Sequence, residues 1–82
     1  MKHCKFLIGW MNGSDGANGD ETGINSPNDL ESLYNEGSEY VACYEFDAPD
    51  NLSYKELTYI GMGYAFMQDW TAHDTFTDIL IS

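Results

Sequence analysis

Apolar and polar positions alternate along "HCKFLIGW", with Cys4, Phe6, Ile8 and Trp10 on one side and His3, Lys5, Leu7 and Gly9 on the other. A period of two marks a strand, and the first set is the expected core face. Asn12-Gly13 is a turn signal. The glycine-rich stretch after it is expected to return as a short strand near residues 22–25. A helix should follow, with Ser26 as N-cap, Pro27 at the first helical position and Asp29 at the third, a weaker form of the capping box. Leu30, Leu33 and Tyr34 share one face of that helix, and Gly37 is placed to end it in a left-handed conformation.

The segment "SEYVACYEF" alternates again, setting Tyr40, Ala42, Tyr44 and Phe46 against Glu39, Val41, Cys43 and Glu45. It reads as a strand with one wet edge or face, and "DAPDN" reads as a turn. Ser53 and Glu56 form a capping box ahead of "LTYIGMGYAFMQDW", the longest element. Leu57, Ile60, Tyr64 and Met67 make one apolar stripe of this helix, and Tyr59, Met62, Phe66 and Trp70 make another. Gly61, Gly63 and Ala65 lower helix propensity and point to close approach to a sheet or another backbone. The alternative is a broken stretch around "IGMGYAF". "TFTDILIS" alternates Phe76, Asp78 and Leu80 with Thr75, Thr77, Ile79 and Ile81, which predicts a terminal strand. The expected fold is α+β in a single domain, 1–82: a small, mostly antiparallel sheet of about three strands packed with two helices.

An 82-residue chain buries a modest core and needs help to be stable. Cys4 and Cys43 allow one bridge but no disulfide framework, and two free thiols in a reducing compartment are expected. Six Tyr, four Phe and two Trp supply buried area instead, or a binding surface, where Tyr and Trp are favoured. The opening "MKHCKFLIGWMNG" is too broken by polar residues for a secretion signal, and no segment has the length of a membrane span. Two glycosylation triplets, at Asn12 and Asn51, carry no weight without such a signal. A soluble, cytoplasmic protein is expected.

Charge changes the picture most. Fourteen Asp and Glu face three Lys and no Arg, for a formal net charge of −11. The lysines are Lys2, Lys5 and Lys55. Between residues 6 and 54 there is no basic residue, while ten acids occur: Asp15, Asp20, Glu21, Asp29, Glu31, Glu36, Glu39, Glu45, Asp47 and Asp50. Such a surface disfavours direct binding to nucleic acid or an anionic membrane. It favours a basic partner or a cation.

The run "NGDETGINSPNDL" resembles a dockerin or EF-hand calcium loop at Asn18, Gly19, Asp20, Ile24, Asn25, Asp29 and Leu30. The ligand register does not close. A loop begun at Asn18 has a neutral first ligand and a short Asp29 as its last, and one begun at Asp15 has Ala17 at its third position. No C-x-x-C or H-x-x-x-H spacing suggests zinc, and no phosphate loop with lysine is present. His3 and Cys4 are adjacent on a strand and face opposite ways. Cys43 and His73 meet only by tertiary chance. No metal, cofactor or catalytic set is expected, and the chain is read as a non-enzyme.

In size, acidity and lack of Arg the chain resembles the small acidic inhibitors of phages and mobile elements: DNA mimics, anti-restriction proteins and anti-CRISPR proteins. The resemblance implies an inhibitor that binds a host protein or ribonucleoprotein complex at its basic nucleic-acid-binding surface, with the ten acids above as the contact set. Two other readings stand beside it. One is a small calcium module using the 15–29 loop. The other is a structural or homodimeric subunit built on Tyr59, Phe66 and Trp70.

Overall fold

A computed structural model describes residues 1–13 and 21–82. Its elements run β1 (Lys2–Trp10), α1 (Asn28–Asn35), β2 (Val41–Ala48), α2 (Tyr54–Met67) and β3 (Thr75–Ile81). The expected α+β architecture is present: three strands in one antiparallel sheet, with two helices. The strand order is β2-β1-β3, so the first strand is the central one. It pairs antiparallel with both neighbours, Phe6 lying opposite Tyr44 on one side and Ile79 on the other.

That central position corrects the one-sided reading of β1. Cys4, Phe6 and Ile8 are buried as expected, but Leu7 and Gly9 on the opposite face are buried too. The sheet is the middle of three layers. On one face Cys4, Phe6, Ile8, Phe46, Ala48 and Ile79 pack with Leu57 and Ala65 of α2. On the other, Leu7 packs with Ile24 and with Leu30 of α1, flanked by Val41, Cys43, Phe76 and Leu80. A central strand covered on both faces carries a continuous apolar run, here Phe6-Leu7-Ile8.

Two glycines set the spacing of the layers. A Cβ at Gly61 would overlap the ring of Phe6, so α2 lies against the sheet through Gly61 and Ala65. A Cβ at Gly9 would fall 2.7 Å from Ile24 and 2.8 Å from Leu30, so the α1 layer also depends on a missing side chain. Gly63 differs from the expectation: it faces outward, and a Cβ there would meet nothing within 4 Å. The two expected stripes of α2 are redrawn as well. Leu57, Gly61 and Ala65 form the buried line, while Tyr59, Tyr64, Phe66 and Met67 are exposed. The helix is unbroken through "IGMGYAF" and ends at Met67, before Trp70.

The helix ends follow local chemistry. Ser53 accepts from the Glu56 N–H, and Glu56 accepts from the Ser53 N–H, completing the capping box of α2. At α1 only half of such a box forms. The Asp29 carboxylate accepts from the Ser26 and Asn25 N–H groups, but Pro27, already helical, takes the cap position and no side chain caps the helix. Gly37 (φ +80°) ends α1, with the Gly37 N–H donating to Tyr34 and the Ser38 N–H to Leu33, a Schellman motif.

Residues 22–25 are not a strand. Thr22 Oγ1 donates to the Trp10 carbonyl at 2.9 Å, and the Asn12 N–H donates to the Ile24 carbonyl. These bonds hold Ile24 in the core without a ladder. At the edge of β3, Tyr54 Oη donates to Asp78 at 2.7 Å, and the Ile79 N–H donates to both Asp78 and Tyr54. An edge amide is thereby satisfied by side chains instead of a further strand. Cys4 lies opposite Phe46 and Cys43 opposite Leu7, so the two cysteines occupy opposite faces and both are free thiols.

The two helix glycines predict opposite outcomes. Gly61→Ala should destabilise by about 1–3 kcal/mol because the methyl group overpacks against Phe6. Gly63→Ala should stabilise by about 0.5–1 kcal/mol, since only helix propensity changes. Urea unfolding of dilute protein checks both.

Candidate functional site

The acids fall into distinct environments. Asp15 and Asp20 lie outside the described residues. Glu21, Asp29, Glu31, Glu36 and Glu39 belong to α1 and its flanking connections. Asp29 is committed to the helix start. Glu21, Glu31, Glu36 and Glu39 are exposed, and no hydrogen bond or ion pair ties their carboxylates to another described residue. None of the three lysines is on α1 or its connections, although Lys5, opposite Glu45, is on the sheet face that α1 occupies. Lys2 and Lys5 are on β1 and Lys55 is on α2, and Lys2 Nζ donates to the Leu52 carbonyl at 3.2 Å.

Glu45 and Asp47 are brought together by alternation on β2, on the sheet face that α1 occupies. Antiparallel register places Asp47 opposite His3 and Glu45 opposite Lys5. The His3 ring bridges the pair, Nδ1 to Asp47 at 2.9 Å and Nε2 to Glu45 at 3.0 Å. Its pKa is raised by the hydrogen bond to Glu45 and then by that to Asp47, and the Glu45 pKa is lowered by the same contact. When protonated, His3 partly neutralises this pair within the protein. Asp50 is separate again, in the turn after β2, 3.6 Å from the Met1 amino group. In the sequence these three acids read as parts of one surface, with no sign of His3 as the counterpart of Glu45 and Asp47. Only the strand register, joining positions 44 residues apart, reveals it.

The groups considered for chemistry are spoken for or apart. Both ring nitrogens of His3 face carboxylates. Cys43 neighbours Tyr34 rather than His73. Burial raises its thiol pKa, and the Tyr34 hydroxyl offsets only part of that. A protonated thiol is a poor nucleophile. Of the proposed calcium register, Thr22 is bonded to Trp10 and Asp29 to backbone amides; positions 15–20 lie outside the described residues. Among the described residues no cluster of three or more His, Cys, Asp and Glu is arranged for a metal ion, and no helix is long and apolar enough to cross a membrane.

The opposite side of the molecule is different in kind. The outer surface of α2 presents Tyr59, Phe66 and Met67 to solvent. Beside them Ile60, Gly63, Tyr64 and Met67 line an open groove of about 300 Å³. Trp70, expected on this surface, is instead half-buried and stacks on Trp10 with ring centroids 5.2 Å apart.

The His3 bridge predicts a pH dependence. A raised histidine pKa adds stability that is complete below the unfolded value of about 6.5 and is lost as pH rises through the folded value. The lowered Glu45 pKa adds stability present above its unfolded value and lost as pH falls through the folded one. The bridge thus contributes most between about pH 4.5 and 6.5. Thermal melting should show a higher Tm at the upper end of this window than at pH 8, and His3→Gln should reduce the difference.

Comparison with protein-family models, with curated proteins and with solved structures finds no match for this chain.

Proposed function

We propose that this protein is a non-enzymatic acidic inhibitor that occupies the basic nucleic-acid-binding surface of another protein or ribonucleoprotein complex. The observation that carries this reading is the segregation of charge. The α1 layer holds four exposed acids, Glu21, Glu31, Glu36 and Glu39, with no internal partner among the described residues, and no Lys or Arg occurs between residues 6 and 54. Side chains left uncompensated in this way repel one another and cost stability. An apposed basic groove relieves the repulsion, speeds encounter and selects the partner. Nucleic-acid-binding proteins present such grooves because they neutralise phosphates. The α1 layer would compete with DNA or RNA there by charge and shape. The compositional resemblance to phage and mobile-element inhibitors supports the same reading.

The proposed contact set is narrower than the ten acids. Glu45, Asp47 and Asp29 already have partners, so the four free glutamates should dominate binding. Native mass spectrometry against a panel of basic nucleic-acid enzymes should find a complex that dissociates as salt rises. The triple charge reversal Glu31→Lys, Glu36→Lys, Glu39→Lys should weaken it by about tenfold to a hundredfold. A salt-insensitive complex, or none with any member of the panel, would contradict the proposal.

A further inference from the structure

We infer that the outer face of α2 is a two-fold interface with a second copy of this chain. A helix that is apolar on every side belongs in a protein interior, yet α2 is covered only on its Gly61 side. Tyr59 is 84% exposed, Met67 77%, Phe66 53% and Tyr64 45%.

Charge identifies the occupant. In a protein of net charge −11, residues 57–68 contain no charged side chain. The acids of the α1 layer lie across the sheet from this surface. Over residues 57–68 two such chains can meet without placing acid against acid.

Shape agrees. A two-fold interface needs a projection and a recess on the same patch. At 3.6 residues per turn, Tyr59 and Phe66 form a ridge beside the groove of Ile60, Gly63, Tyr64 and Met67. Gly63, with open space above it, forms the floor. With α2 helices antiparallel and crossing near Gly63, each ridge enters the other's groove. Lys55 and Glu56, at one end of the helix, then both approach Asp69, just beyond the other end, in the second copy, so the ends contribute little net charge attraction.

The area suffices. With aromatic side chains covering about 150–250 Å² each, and Met67 taken as similar in size, the four exposed residues supply on the order of 500 Å² per copy. The total, on the order of 1,000 Å², is at the threshold of specific association. A weak dimer in the micromolar range is the expected result.

Sedimentation of the full chain over concentration and salt tests this. The mass should rise from 9.2 kDa toward twice that value. Association should tighten as salt screens the repulsion between the two acidic bodies, the reverse of the salt response expected for a basic partner. Tyr59→Lys and Phe66→Lys each replace a solvent-facing side chain and should weaken dimerisation at least tenfold, with circular dichroism unchanged. A folded chain that stays monomeric at millimolar concentration in high salt overturns the inference. So does a dimer indifferent to both substitutions, or open-ended growth. A monomer that instead binds neutral phosphatidylcholine vesicles through Tyr59 and Phe66 also overturns it, in favour of a lipid surface.

Discussion

Burial of β1 on both faces is the constraint from which the rest of the molecule follows. Phe6 and Ile8 need a cover on one side, and Leu7 needs one on the other. Three strands cannot supply both covers from a single helix. The chain therefore crosses one face with α1 between β1 and β2, and the other with α2 between β2 and β3. Each helix is brought close by a glycine beneath it, Gly9 under the α1 layer and Gly61 over Phe6. In a domain this small, close layers raise the share of apolar surface removed from water.

The two covers have opposite characters. The α1 layer is thin, and the carboxylates of α1 and its connections have no lysine among them, while Lys5 and His3 stand on β1 beside Glu45 and Asp47. The α2 layer turns Leu57, Gly61 and Ala65 inward and leaves Tyr59, Tyr64, Phe66 and Met67 outside. Phe46 and Tyr64 stack at 5.8 Å on the flank of this layer, and Trp10 and Trp70 stack at 5.2 Å near the end of the helix. The aromatic residues thus serve partly as core and partly as surface. One sheet separates an electrostatic side from an apolar side, and two unlike associations can be supported without sharing residues.

Much of the fold is written in local pattern. The alternation of each strand, the Ser53–Glu56 box and the Gly37 terminus depend on neighbouring residues and are readable one segment at a time. Strand order is not local. The burial of Leu7 depended on β1 being central, which its alternation hid and its Phe6-Leu7-Ile8 run signalled. Ile24 is held in the core by side-chain hydrogen bonds from an irregular segment, which no period reveals. The acids were visible as a composition, but their division into free and engaged groups was not. Asp29 is engaged by backbone amides and Glu45 and Asp47 by His3, through a register that only pairing defines. The exposed side of α2 was hidden for a different reason: a helix apolar all round gives no preferred direction, and the ring of Phe6 decides which side turns inward.

The placement of the two cysteines has a consequence for where such a fold can persist. With one thiol on each side of the sheet, no intramolecular disulfide can form without dismantling β1 and β2. Oxidation therefore adds no internal crosslink to the fold and reduction removes none. The cohesion of the folded layers is wholly noncovalent, and because only the unfolded chain can close a Cys4–Cys43 bridge, an oxidising environment draws the equilibrium away from the fold.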